Sequence, residues 1–368
     1  MALPTGDELT ELEARQDPRL LRALDAVAPG QPLREGIDNI VHAQTGGLIL
    51  IAEADEVSFL FSGGIRLEID YSPALLYQLA KMDGAIVLEP ETNRIISANV
   101  QLMPDPTILS METGTRHRTA ERVSKQTKAL VVAISQRRDV VSLYVGGIKY
   151  ILEDISTVLS KANQGLATLE KYRDRLDHVS ARLTRLEFTG AAALHDVISV
   201  LQRAELVTRM TAEVERWIIE LGAEGRLIEM QLEELVVGVI AERAALVRDY
   251  ATSVNEAQME HTLADLGRLD HQELLDFGRI AELLGFDRKT NTLDFPVTPR
   301  GFRALSRVPR LPRLVAQKIV DHFGDLDAIL AASDPDLEAV EGVGEARALE
   351  IREGLRRLQE VDLVDRYR

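Results

Sequence analysis

Apolar residues recur along this chain with two different periods, and the change of period divides it. Up to about Tyr150 they come in short runs: Gly47–Ile51, Val57–Phe61, Ala85–Leu88, Arg94–Val100, Ala129–Ser135 and Val140–Val145. Short runs rich in Val, Ile and Leu between turn residues predict strands, several of them buried on both faces. Leu9, Leu12, Leu20, Leu21 and Leu24 form a broken helical stripe ahead of them. Pro73–Met82, with proline in its first turn and Leu75, Leu76 and Leu79 on one face, predicts a further helix. Gly63-Gly64 and Gly146-Gly147 predict hairpin turns. Strands alternating with helices predict an α/β domain with a central mixed sheet over residues 1–150.

Beyond that point the strand pattern disappears. Ile155, Leu159, Ala162, Leu166, Leu169, Leu176, Leu183 and Leu186 recur at helical spacing and form an a/d-like seam. Residues 151–285 therefore read as an all-α spine. A polar stretch, Phe286–Thr292, with Pro296 and Pro299 after it, reads as a linker, and residues 300–368 as a small all-α tail. Within that tail, Leu337–Ala348 has the form of a helix, a Gly342-Val343-Gly344 turn and a second helix. Leu305–Val320 has the same form with prolines and arginines in place of the glycines. Such glycines let the chain turn tightly and bring the next helix's free amides against an anion.

Composition narrows the function. With 43 basic and 59 acidic residues the net charge is −16, which argues against indiscriminate attraction to nucleic acid or membrane surfaces. No apolar run reaches membrane-spanning length, and the N-terminal residues lack the basic and apolar regions of a secretory signal. The absence of cysteine excludes disulfides and thiolate metal sites and fits a cytoplasmic protein. Charge is local, however. Arg300, Arg303, Arg307, Arg310, Arg313 and Lys318 follow one another with no acidic residue between them. Together with the glycine turn they suggest a DNA-backbone grip at Arg310, Arg313, Lys318, Gly342, Gly344 and Arg347, the alternative being a protein-contact hairpin.

Two segments of the α/β region carry candidate chemistry. Gly114-Thr115-Arg116-His117-Arg118-Thr119-Ala120-Glu121-Arg122 places two guanidinium groups and an imidazole in the first turn of a helix, where amides and the dipole already favour anions. Asp83-Gly84-Ala85 puts a carboxylate and a permissive glycine just before a strand. Each alone reads as a charge run or a turn. A metal-binding or basic carboxylate beside an anion cradle is what phosphoryl or nucleotidyl transfer needs. His178, His195, His261, His271 and His322 are scattered without metal-ligand spacing, and Trp217 reads as packing.

These two segments resemble the paired signatures of the diadenylate cyclase family. The order of head, spine and tail resembles that family's DNA-integrity-scanning branch, with its C-terminal helix-hairpin-helix domain. The resemblance implies condensation of two ATP into cyclic di-AMP with loss of two pyrophosphates, a Mg²⁺ or Mn²⁺ ion, and inhibition by branched DNA. It implies facing cyclase heads in a homo-octamer. By residue it implies that Asp83 binds the metal or helps deprotonate the attacking hydroxyl, that Gly84, Ala85 and Leu102 meet the nucleotide, and that Thr115, Arg116, Arg118, Thr119, Ser135 and Arg138 serve its phosphates. It leaves His117 to bind phosphate or order the loop. The alternative is a non-catalytic DNA-binding protein with a nucleotide-sensing head, to which the intact Asp83 and Arg116–Arg118 are opposed.

Overall fold

The computed structural model describes residues 17–90, 93–136, 140–253, 255–288 and 290–365. They form two compact units. The first holds the chain up to Gln164 together with Ala212–Met230; the second holds Gly165–Thr211 and the chain from Gln231 onward.

The first unit is built on an eight-stranded sheet: β1 (Gly47–Ile51), β2 (Phe61–Ser62), β3 (Ile65–Asp70), β4 (Ala85–Glu89), β5 (Arg94–Leu102), β6 (Leu130–Ile134), β7 (Val141–Val145) and β8 (Ile148–Ile151). Their order is β2-β5-β4-β1-β6-β7-β8, with β3 also on β5. Only β1 and β4 are parallel; every other pair is antiparallel, so the sheet is mixed. Helices α1 (Pro18–Ala26) and α2 (Pro32–His42) cover one face, where Leu20, Leu24, Ile37 and Ile40 pack on Ile49, Ile86 and Val132. After β1 come α3 (Ala54–Val57) and a helical turn over Ser58–Leu60; α4 (Pro73–Leu79) and α5 (Thr115–Gln126) follow. Ala120 and Val123 of α5 pack on the opposite face against Leu48, Leu50, Val87 and Val131. Burial on both faces explains why the central strands are continuous apolar runs rather than alternating ones.

Two local expectations fail for physical reasons. Val57–Phe61 is not a strand: Val57 and Leu60 sit three apart, both buried, and the chain there is α3 followed by a helical turn. Gly63-Gly64 is not a hairpin. Phe61 pairs with Leu102 and Ile65 with Ala98, one unbroken register on the same neighbour, so β2 and β3 are one strand interrupted. Gly64 has φ +99° there, and a Cβ would lie 2.7 Å from Val100 Cγ2. Gly146-Gly147 does turn β7 into β8, with φ of 55° and 84°, the pattern a tight right-twisted hairpin requires.

The second unit is helical: it holds the later part of α6 (Ile155–Phe188), the earlier part of α7 (Leu194–Leu221), the later part of α8 (Arg226–Val236), and α9 (Val239–Tyr250), α10 (Glu256–Arg268), α11 (His271–Leu275) and α12 (Phe277–Leu283). Leu166, Leu169, Leu176 and Leu183 are buried, as the seam predicts. At the same spacing lie two buried polar residues, Ser180 and Glu187. They receive Arg303, which is 1% exposed on α13 (Phe302–Ser306). Its guanidinium pairs with Glu187, reaches Glu242 Oε1 at 3.1 Å and donates to the Ser180 carbonyl at 2.7 Å. Asp249 accepts from the amides of Gly301, Phe302 and Arg303 at 2.7, 2.7 and 2.8 Å, satisfying the donors that the start of α13 leaves open.

The tail continues through α14 (Arg313–Phe323), α15 (Leu326–Ala331), α16 (Asp334–Glu338) and α17 (Glu345–Asp365). Its two half-motifs share core positions and turn hydrogen bonds at one constant offset. Val308, Leu311, Ala316 and Ile319 correspond to Val340, Val343, Ala348 and Ile351, all in one core. Leu311 N donates to Val308 O as Val343 N does to Val340 O, and Ala316 N to Pro312 O as Ala348 N does to Gly344 O. Arg310 takes φ 60° where Gly342 takes 91°, so an arginine holds a left-handed position that favours glycine.

Arg303→Ala would leave the Glu187 carboxylate buried without its partner. The expected loss is about 3–5 kcal/mol of stability. Denaturant unfolding of the full-length protein checks this, and a loss below about 1 kcal/mol would show that the cluster is not holding the second unit together.

Candidate functional site

Strand register gathers the candidate residues of the head at one end of the sheet. Ile49 pairs with Ile86 in parallel, so the start of β1 lies beside the start of β4. Gly47 opposite Ile134 brings the end of β6 there, Ala85 opposite Val100 the end of β5, and Ile134 opposite Val141 the start of β7. Asp83-Gly84-Ala85, Leu102 and Ser135 therefore share one edge. With strands about 4.8 Å apart, Ala85 and Ser135 are separated by two spacings, roughly 10 Å. α5 begins at the same edge, because Arg116 Nη1 donates to Ile134 O at 3.2 Å.

A cleft of roughly 420 Å³ opens here, lined among others by Glu112, Gly114, Arg116, His117, Ser135 and Lys149. Gly114 is the N-cap of α5 without a capping side chain, leaving the first amides of the helix for a ligand. Gly46, with φ +68°, gives Arg116 its place: a Cβ at Gly46 would lie 2.6 Å from Arg116 Nη1. Asp83 is exposed in the turn after α4. Gly84, with φ +87°, is approached by β5: a Cβ would meet the Asn99 carbonyl carbon at 2.8 Å and Val100 O at 2.9 Å. Asp83, Gly84, Ala85 and Leu102 are not among the residues lining the cleft itself.

The three members of the Arg-His-Arg run take separate positions. Arg116 and His117 line the cleft. Arg118 is turned back: its Nε donates to Glu112 O and its Nη2 to Thr113 O, both at 3.2 Å. Thr115 is exposed at the helix start, and Thr119 follows Arg116 by three residues. Farther along α5, Glu121 accepts from the Ser110 hydroxyl and from Met111 N at 3.1 Å, while Arg122 Nε reaches Ile108 O at 2.9 Å. The helix thus holds the preceding loop along its length. Arg138 lies outside the described residues.

Sequence reasoning passed over Glu112, Tyr144 and Lys149. Lys149 Nζ lies 2.6 Å from Glu112 Oε1, Tyr144 Oη donates to the same oxygen at 2.8 Å, and His117 Nδ1 is 3.1 Å from Tyr144 Oη. Burial pushes the Glu112 carboxyl up, but the hydrogen bonds from Lys149 and Tyr144 outweigh it and hold the group below its ordinary range. Burial, then the adjacent Glu112 carboxylate, pushes the Tyr144 phenol well above its ordinary value. Tyr144 stood in an apolar strand and Glu112 in a loop, so only the pairing of Tyr144 with Lys149 across β7 and β8 gives the signal.

In the tail, the basic run divides. Arg300 donates to Arg248 O and Ala251 O at 2.5 and 2.7 Å, Arg303 is buried, and Arg307 donates to Thr184 Oγ1 at 2.8 Å. These three serve the fold. Arg310, Arg313 and Lys318 are exposed, as are Gly342 and Gly344. Arg313 pairs with Glu256 at 2.5 Å and Lys318 with Glu341 at 2.8 Å, while Arg347 donates to the Gly342 carbonyl.

Among the described residues no helix is long and apolar enough to cross a membrane. Nor do three or more His, Cys, Asp or Glu side chains there form a metal cage. Residues 34–149 match the family described as DisA bacterial checkpoint controller nucleotide-binding, and residues 152–293 that described as DisA bacterial checkpoint controller linker region. The chain is 51% identical to the DNA integrity scanning protein DisA of Carboxydothermus hydrogenoformans, covering 94% of this chain and 98% of that one. It is 45% identical to the protein of that name from Frankia alni over the whole of both chains. For the Streptomyces coelicolor protein of that name the identity is 47%, over 95% of this chain and 94% of that one. A head and a spine that each match, and relatives this similar over nearly full length, place the chain in the DNA integrity scanning protein (DisA) family, with a nucleotide-binding DAC head.

Proposed function

We propose that the head is a diadenylate cyclase, joining two ATP into cyclic di-AMP with release of two pyrophosphates. The observation that carries this reading is the convergence of Asp83-Gly84-Ala85 and the Gly114–His117 helix start at one sheet end. An edge of roughly 10 Å between Ala85 and Ser135 suits a nucleotide lying across it, base toward Leu102 and phosphates toward α5. Arg116 and the open amides of α5 supply positive charge where the pyrophosphate leaves. Thr115, Thr119, Ser135 and Arg138 serve the phosphates by family resemblance, and Arg118 fixes the loop that carries Glu112.

Asp83 is an exposed carboxylate, and a Mg²⁺ or Mn²⁺ ion could be held between it and substrate phosphate oxygens. Such an ion would offset phosphate charge and favour the ionised 3′-hydroxyl. Each 3′-hydroxyl must reach the α-phosphorus of the other ATP, so one head presents half of the reacting pair. Two heads must face each other, as in a homo-octamer.

The tail is proposed to grip DNA backbones as a tandem helix-hairpin-helix module, with branched DNA as the regulating ligand in the cytoplasm. The paired hairpins and the exposed Arg310, Arg313 and Lys318 support this reading.

Incubation with ATP and Mg²⁺ or Mn²⁺ should yield cyclic di-AMP by mass spectrometry, and Asp83→Asn should abolish it without changing the oligomer. No dinucleotide with either metal would leave a nucleotide-sensing head instead. Gly46→Ala should displace Arg116 and weaken ATP binding by about 10-fold, or about 1.4 kcal/mol, measured by calorimetry beside a melting curve. Unchanged affinity would remove Arg116 from the phosphate site. Arg310→Ala should reduce the slope of log affinity against log salt by about 1 on a four-way junction, and a parallel slope would place Arg310 off the DNA.

A further inference from the structure

The cleft beside α5 does not lie over Asp83 and Leu102; it runs away from them. Along the sheet the strands follow in the order β5, β4, β1, β6, β7, β8. Leu102 stands at the end of β5, and Asp83-Gly84-Ala85 at the start of β4. The lining of the cleft starts further along, at Arg116, Ser135 and Gln136. It continues to Ser142 on β7 and to Lys149 and Ile151 on β8. Arg116 marks the near end, since its guanidinium bonds Ile134 O on β6. From β6 to β8 is two strand spacings, roughly 10 Å. A nucleotide with its base at Leu102 and its α-phosphate at Arg116 therefore carries its remaining phosphates over β7 and β8.

Strand register decides which cation meets them. Ser142 is opposite Ile151 and Tyr144 opposite Lys149, and directly opposed residues project from one face. Tyr144 belongs to the core that holds Ala120 and Val123 of α5, so Lys149 stands on the face that α5 covers. Its ammonium is already engaged, with Nζ 2.6 Å from Glu112 Oε1. The two partners are unequally held. Glu112 is half-buried, accepts from Tyr144 Oη at 2.8 Å, and has its carbonyl held by Arg118. Lys149 is exposed, a compact charge on a flexible four-carbon stem. An ion pair with one exposed end contributes little, so a more highly charged anion can draw the ammonium away.

We propose that Lys149 binds the terminal phosphates of ATP, leaving Glu112 for them on binding and returning to it as pyrophosphate departs. This rests on the nucleotide reading of the head. In the reaction the 3′-hydroxyl oxygen of the facing ATP bonds to the α-phosphorus, and its proton passes to water. The bond from that phosphorus to the oxygen bridging to the β-phosphate breaks, and its electron pair stays on pyrophosphate. Negative charge therefore grows beyond Arg116, over β7 and β8, where Lys149 offsets it. Glu112 acts in the opposite sense. By competing for Lys149 it limits how tightly pyrophosphate is kept, so the pair both assists the leaving group and releases it.

Calorimetry on the full-length protein with Mg²⁺, using ATP, AMP and inorganic pyrophosphate as probes, tests this. Lys149→Gln alters an exposed side chain and should keep the fold, which a melting curve checks. It should weaken ATP and pyrophosphate binding about 10-fold each and leave AMP unchanged, with Lys149→Arg restoring most of the loss. Equal weakening of ATP and AMP, or of neither, overturns the proposal. Glu112→Gln should tighten pyrophosphate binding, and do so far less in the Lys149→Gln background. An equal gain in both backgrounds would make Glu112 only a repelling charge and overturn the exchange. If the wild type forms no dinucleotide but still holds ATP through Lys149, the cyclase reading falls and the terminal-phosphate site stands.

Discussion

The head depends on one pairing: β1 runs parallel to β4 and antiparallel to β6. That mixed neighbourhood brings two strand starts and several strand ends to the same edge of the sheet. In a wholly antiparallel meander the loops before β4 and after β6 would fall where hairpin connections alternate, and the turn carrying Asp83 would not share an edge with the end of β6. Burial on both faces makes this register expensive to slip, because a shift of one residue would exchange Ile49 with Leu48 and Leu50 between two separate cores. The geometry of the site is therefore held by apolar packing, in which Ala85 and Leu102 themselves take part.

Much of this was legible in the sequence. The change of apolar period marked where the sheet stops, and the continuous runs marked the doubly buried strands. The Asp83 and Arg116 segments each read alone as a turn or a charge run, and pointed to chemistry only as a pair and through the family resemblance. What escaped was long-range. Glu112, Tyr144 and Lys149 lie dispersed over 38 residues and meet only through the β7–β8 register and the loop held by Arg118. Gly63-Gly64 looked like a hairpin because two glycines mark a break without saying whether the chain reverses. Gly46 gave no signal at all, since its value lies in the room it leaves for Arg116.

The tail shows the same limit from the opposite side. Six cations in a row suggested one surface, yet helical spacing sends Arg303 inward to Glu187 and Glu242, while Arg307 turns toward Thr184. Two polar residues, Ser180 and Glu187, lie buried on the α6 seam among its leucines. They are the receptors for Arg303. A buried ion cluster of this kind adds little net stability compared with an apolar plug, but breaking it exposes an unpaired charge. It fixes the angle at which the first tail helix meets the spine, for which a smooth apolar contact would be less selective.

The near-repeat of the two hairpins carries a consequence for symmetry. In the second hairpin, Glu341 and Gly344 have backbone N–H groups; in the first, Pro309 and Pro312 stand at those places and have none. An anion at the second turn would meet backbone amides, and one at the first the side chains of Arg310 and Arg313. Attraction between exposed charges weakens as salt rises. The duplicated fold is thus unequal in its chemistry: a backbone laid across both arms, as the proposed DNA grip requires, would meet amides at one and guanidinium groups at the other.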